Sequence, residues 1–287
     1  MTVRQPGSGR TVASPAQPGT RAEFLPRLLS ALVMAAAAIG TAWVGGALFA
    51  VFWCLASIAV LWEWHGVLGL SRRTPIVLLG GASLAASTLL VVRGQPAHAA
   101  LALLLGAAVT ALLADAGRRS LAALGPLYAG VLALAVPLLR QSSVDGLIIV
   151  LWLFAVVWGT DTMAYFGGRT IGGPKLAPRL SPSKTWSGFG VGIVCGALLG
   201  LAAAPRSDCI SCLIVAGLLG GALAQAGDLF ESALKRRFGV KDAGSIIPGH
   251  GGLMDRLDGF IAAAAFAAAV GLWRFGPDAA AAGLLQW

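Results

Sequence analysis

Apolar runs of about 17–21 residues, the length needed to cross the hydrocarbon core of a bilayer, recur along the whole sequence. They fall near residues 28–45, 47–63, 75–92, 97–114, 120–138, 147–165, 186–204, 210–227 and 259–276. A chain inside lipid must satisfy its backbone N–H and C=O groups internally, so runs of this kind imply helices. The expected architecture is all-α: a polytopic transmembrane helical bundle of about nine spans. The tight Gly45-Gly46 junction between the first two runs leaves eight spans as the competing count.

Composition removes the soluble alternative. Of 287 residues, 57% are hydrophobic and 11% charged, against roughly 25% charged in a soluble domain. The formal net charge of +9 is not gathered on a polar module, so nucleic acid is excluded as a partner. The basic residues sit in short loops, where they orient a membrane chain and attract anionic membrane lipid.

Their distribution predicts that orientation. With the N-terminus inside, one side carries Arg4, Arg10, Arg21, Arg27, Arg72, Arg73, Arg118, Arg119, Arg169, Lys175, Arg179, Lys184, Lys235, Arg236, Arg237, Lys241 and Arg256. The other carries Arg93, Arg140, Arg206 and Arg274. Positive charge prefers the cytosolic side, so N-in, C-out is expected. Residues 1–25, rich in Pro, Gly, Ser, Thr and Arg, read as a disordered cytosolic tail, and the first apolar run as an uncleaved signal-anchor.

Two smaller patterns read structurally. Gly188, Gly192, Gly196 and Gly200 put a smooth ridge on one helix face, where a neighbouring helix can approach closely; Gly217 and Gly221 repeat the device. Cys209 and Cys212 form a lone C-x-x-C with no second pair or histidine to complete a zinc site, and read as incidental or as an oxidisable pair.

Polar residues concentrate in two late segments taken as cytosolic loops, 161–188 and 228–258; the first half of the chain holds nothing comparable. Residues 26–145 therefore read as N-terminal transmembrane helices and 146–287 as the catalytic region. In the second segment Asp228, Glu231 and Lys235 share a helix face. A basic cluster follows, then the flexible turn Pro248-Gly249-His250-Gly251-Gly252, whose amides can approach an anion, then Asp255, Arg256 and Asp258. Carboxylates at span ends beside Lys and Arg suit a Mg²⁺ ion and polyphosphate, the requirements of phosphoryl or nucleotidyl transfer. A solvated interfacial loop with incidental ion pairs is the plainer alternative.

The stretch from Ser232 to Asp258, including Lys235-Arg236, Lys241-Asp242, Gly244, Pro248-Gly-His250-Gly251-Gly252 and Asp255-Arg256-Leu-Asp258, resembles the signature of the phosphatidate cytidylyltransferases without departure. Asp161-Thr-Met-Ala-Tyr165 and Leu180-Ser181-Pro182-Ser-Lys184-Thr185-Trp186 are similar to two further segments of that family. Ser183 and Ser187 depart from it, standing where a lysine and a glutamate are usual, so neither side chain is expected to be essential. The detailed match covers roughly residues 150–260.

The resemblance implies transfer of the cytidylyl group of CTP to phosphatidic acid, giving CDP-diacylglycerol and pyrophosphate at the cytosolic face of a bacterial plasma membrane. It implies Asp228, Asp255 and Asp258 as metal ligands for Mg²⁺, with a second, monovalent cation such as K⁺ as an option. Lys235, Arg256 and Lys184 would be catalytic. Asp161, Arg179, Ser181, Ser232, Arg236, Lys241, His250, Gly251 and Gly252 would contact substrate. Phosphatidate is already ionised near neutral pH, so His250 would position rather than act as a base. Glu231 and Asp242 would orient basic neighbours, and a homodimer is a further expectation.

For Asp228 to meet Asp255 and Asp258, the last two long helices must pack antiparallel. Two rivals stay open: a CDP-alcohol phosphotransferase, whose motif also opens Asp255-Arg-Leu-Asp258-Gly259 but continues differently, and an ion-coupled transporter using Asp161 and Asp228.

Overall fold

The computed structural model describes residues 21–141, 145–205, 207–246 and 251–287, with residues 21–28 as backbone only. Nine long helical segments follow the nine apolar runs. They are α1 (Arg21–Val44), α2 (Gly46–Leu68), α3 (Arg73–Val92), α4 (Pro96–Leu113), a composite of α5 (Arg119–Gly130) and α6 (Val136–Arg140), α7 (Asp145–Ile171), α8 (Trp186–Ala203), α9 (Ile210–Arg237) and α10 (Met254–Phe275). A short α11 (Ala282–Leu285) ends the chain. Eight are long and apolar enough to cross a membrane, and the Leu29–Val44 part of α1 is a shorter apolar helix. Gly45 and Gly46, both at positive φ, separate α1 from α2, a turn that other residues rarely adopt.

α5 and α6 form one span interrupted by a π-helical turn over Val131–Ala135, with Pro126 and Pro137 on either side removing backbone donors. Two short strands, β1 (Lys175–Ala177) and β2 (Ser181–Thr185), make an antiparallel hairpin between α7 and α8. Apolar side chains are exposed along the outer helix faces, Leu78, Leu104, Leu112 and Trp273 among them. In a membrane these face lipid.

The glycine ridge does what its spacing suggested. A Cβ at Gly188, Gly192 or Gly196 would come within 2.6–2.8 Å of backbone oxygens of Ala164, Thr160 or Val156 on α7. A Cβ at Gly217 would meet the Cα of Ala197 at 2.8 Å, which fits α9 against α8 in the same manner. Cys209 and Cys212 are joined by a disulfide at the start of α9, where the Cys209 sulfur accepts from the Cys212 N–H at 3.3 Å.

Two element ends differ from the sequence reading. α7 continues ten residues past Asp161, to Ile171, and α9 continues through Asp228 to Arg237, so both aspartates lie inside helices rather than in loops. The apolar runs end earlier than the helices because polar residues such as Glu231 and Lys235, an i,i+4 ion pair at 2.6 Å, prolong α9 beyond its hydrophobic part. The true connections are the hairpin region after Ile171 and the segment between Arg237 and Met254.

Candidate active site

α9 and α10 cross antiparallel: Gly227 lies against Asp258 and Ala262, Ala224 against Gly259, and Gly220 against Phe266. A Cβ at Gly227 would come within 2.6 Å of the Asp258 carbonyl oxygen. This close approach puts Asp228 and Asp258 on adjoining helices at the crossing.

A polar chain runs across three elements at this point. Lys184, on β2, pairs with Asp228 Oδ2 at 2.5 Å and donates to Gln225 Oε1 at 2.8 Å. The Gln225 amide donates to Asp161 Oδ1 at 3.2 Å, and Ser232 Oγ donates to Asp228 Oδ1 at 3.4 Å. Residues from 161, 184, 225 and 228 thus meet although they are far apart in sequence.

Asp161, Lys184, Gln225 and Asp228 border a cavity of about 1380 Å³. Its polar part is lined by Asp161, Arg169, Lys175, Ser183, Lys184, Gln225, Asp228, Asp255, Arg256 and Asp258. Its other part is apolar, with Met34 and Ala38 of α1, Phe52 and Trp53 of α2, and Phe154, Trp158 and Phe260. Trp53 stacks on Phe260 at 4.9 Å and Phe154 on Trp158 at 4.8 Å, giving a rigid aromatic wall.

A second cluster lies behind the first, at the base of the loop leading into α10. Lys235 Nζ stands between Glu231 Oε2 at 2.6 Å and Asp255 Oδ1 at 2.5 Å. Asp255 also accepts backbone N–H groups from Ala243 at 3.0 Å and Gly252 at 2.9 Å. Glu63 of α2 accepts from the Leu253 and Met254 amides. Gly252 must be glycine here: a Cβ would meet Glu63, Asp255 and the Gly244 amide within 3.0 Å.

The expected site residues therefore separate. Lys184, Arg256, Asp161, Asp228, Asp255 and Asp258 line the cavity, while Lys235 does not and is held by two carboxylates. Ser232 supports Asp228, and Gly251, at positive φ, and Gly252 shape the turn before Asp255. Arg179 is exposed on the hairpin, Ser181 is half-buried on β2, and neither lines the cavity. Arg236 donates to the Val240 carbonyl near the end of α9, and Lys241 is exposed beyond it. His250 lies outside the described residues. Among the described residues, no three acidic, histidine or cysteine side chains already stand in ligating geometry.

Of the two departures from the family pattern, Ser183 lines the cavity, whereas Ser187 bonds to the Gly172 carbonyl and so ties the start of α8 to the end of α7. Glu63 and Gln225 were not anticipated as site residues. Each is a polar residue near the end of an apolar run, a placement costly enough to signal a role. Through Glu63, the first half of the chain, which holds no comparable concentration of polar residues, still reaches the loop before α10.

Comparison with known proteins now bears on this geometry. The sequence profile of the cytidylyltransferase family matches residues 25–273. A phosphatidate cytidylyltransferase of Brucella abortus is 41% identical over 246 residues, covering 83% of this chain and 90% of the relative. One from Staphylococcus saprophyticus is 43% identical over 126 residues, 43% of this chain and 48% of its own. One from Haemophilus influenzae is 38% identical over 148 residues, 49% and 51% respectively. With almost its full length matched, this chain belongs to the cytidylyltransferase family.

Proposed function

We propose that this membrane enzyme transfers the cytidylyl group of CTP to phosphatidic acid, releasing pyrophosphate and forming CDP-diacylglycerol. The observation that carries the reading is a single cavity with a charged end and an aromatic, apolar end. A nucleotide needs the first and an acyl chain the second, and the reaction requires their phosphates to meet. Lys184, Lys175, Arg169 and Arg256 at the charged end would neutralise the phosphates of both substrates. A phosphate oxygen of phosphatidic acid would attack the α-phosphorus of CTP in line with the departing pyrophosphate. The lipid phosphate is already an anion, so no base is needed to activate it.

The donor set fits a divalent ion. Asp161, Asp228 and Asp258 all line the charged end of the cavity, and Lys184 pairs with Asp228, so hard oxygen donors that a Mg²⁺ would need border one space. Such an ion would polarise the phosphoryl oxygens and orient the attack. Asp228 and Asp258 are the inner candidates. Asp255 already holds Lys235 and two amides, so its part is to fix the loop beside the ion. Lys235 stabilises Asp255 rather than the substrate.

The excess of Lys and Arg in the loops on one side supports a cavity whose charged end faces the cytosol, where CTP is. Single cysteines at Ser245 and Ser211, in a cysteine-free background, test this. Only Ser211→Cys should react with an impermeant thiol reagent in intact cells, and reaction at position 245 reverses the orientation. The activity test is a detergent-solubilised assay with labelled CTP and phosphatidic acid. CDP-diacylglycerol should form only with both substrates and a divalent cation; absence of product from active, folded protein would refute the reading.

A further inference from the structure

A carboxylate within an apolar helix is costly to bury unless it is fully hydrogen-bonded. Glu63 lies near the end of α2, is 1% exposed, and belongs to the half of the chain outside the signature. Its Oε1 accepts from the Leu253 N–H at 3.0 Å and its Oε2 from the Met254 N–H at 2.7 Å. The first N–H groups of a helix lack partners within it. Leu253, at the N-cap of α10, offers no side-chain cap. Glu63 therefore caps α10 from 191 residues away in sequence.

The surroundings are built to that carboxylate. Both Gly244 and Gly252 press against it, and a Cβ at either would collide with it. The Gly252 N–H turns the other way, to Asp255 at 2.9 Å, so Glu63 and Asp255 grip successive amides of one turn. The end of α2 is itself immobilised. Trp64 donates to the Leu121 carbonyl at 2.8 Å, packs tilted against Tyr128 of α5 at 5.0 Å and stacks with Phe230 of α9 at 6.2 Å. α2, which carries no signature residue, thus holds the start of the helix that carries Asp255 and Asp258.

We propose that Glu63 is a positioning residue: its carboxylate fixes the first turn of α10 and so sets where Asp255 and Asp258 stand relative to Asp228. It touches neither the cavity nor a reacting atom. Its importance for turnover rests on the function proposed above; its control of the α10 turn does not.

Hydrogen exchange and kinetics on the full-length, detergent-solubilised protein separate these two statements. In Glu63→Ala, amides of residues 251–258 should exchange at least about tenfold faster, with α7 and α8 unchanged. Glu63→Gln keeps the shape and one good acceptor, so it should fall between Ala and wild type, which a packing defect alone would not produce. In the assay, kcat should fall about 10–100-fold for Glu63→Ala, with KM for CTP within about threefold. Exchange at 251–258 within twofold of wild type in both variants would overturn the proposal. So would loosening spread evenly over all helices, or unchanged kcat in a variant whose turn has loosened. If wild type makes no CDP-diacylglycerol, the functional reading fails while the exchange result still decides the role of Glu63.

Discussion

Two lysines in this protein pair with carboxylates, and their settings differ. Lys184 reaches from the β-hairpin to Asp228, with side-chain exposures of 18% and 32%, at the edge of the cavity. Lys235 reaches from α9 to Glu231 and Asp255, exposed by 1% and 13%, and the Asp255 oxygens are further occupied by backbone amides. The first arrangement can exchange its partners for a substrate phosphate or a cation. The second cannot do so without releasing the loop before α10. Under the proposed function, similar residue types thus make a working cluster in one place and a fastening in the other, and burial with hydrogen-bond saturation decides which is which.

The largest expected effect lies in the working cluster. Asp228→Asn keeps the shape and removes the charge. Since outer partners at metal sites already cost about 10–100-fold, it should lower kcat by on the order of 10³-fold or more. Its thermal unfolding in detergent should match wild type. Asp258→Asn should behave alike, and raised Mg²⁺ should partly restore either variant. Near-normal turnover in both would remove the ion from this position and leave the two clusters indistinguishable in role.

Exchanging the lysines sharpens the contrast. Lys235→Met leaves two buried carboxylates without their cation, which should destabilise the protein by about 3–5 kcal/mol. Lys184→Met leaves Asp228 partly solvated and should cost less than about 1 kcal/mol of stability, while turnover falls sharply. Thermal unfolding and the cytidylyl-transfer assay on the same preparations read both quantities. Equal destabilisation by the two would mean that the cavity cluster is also a fastening.

The smallest effects belong to residues at the margins of each region. Ser183 lines the cavity and Asp242 is exposed in the loop near Gly251. Ser183→Ala and Asp242→Asn should each leave kcat/KM within about threefold, roughly 0.7 kcal/mol. A hundredfold loss at Ser183 would mean that its hydroxyl has replaced the charge usual at that position. Ser187→Ala should likewise spare turnover but lower stability by about 1 kcal/mol, through the lost bond to Gly172.

Membrane partition is written locally, so the sequence alone located the long helices, while leaving eight or nine spans open. A run of apolar residues has the same consequence wherever it lies in the chain. A glycine at every fourth position likewise specifies a smooth helix face, and α8 uses that face against α7. The signature between Ser232 and Asp258 is contiguous, which is why the family could be read before any geometry was known.

Tertiary structure decided how those residues divide their work. No spacing rule joins Asp161 to Gln225, 64 residues apart, or Glu63 to Met254, 191 residues apart. Hydropathy also ended α7 and α9 too early, because intrahelical hydrogen bonds and ion pairs continue a helix after its apolar pattern stops. Above all, Asp255 and Asp258 are adjacent on one helix turn in sequence yet belong to different clusters. The rotation of α10 against α9, set by the contact of Gly227 with the Asp258 backbone, turns one carboxylate toward the Lys184 cluster and the other toward Lys235. Helix packing fixes that rotation, and packing depends on residues far away in the chain.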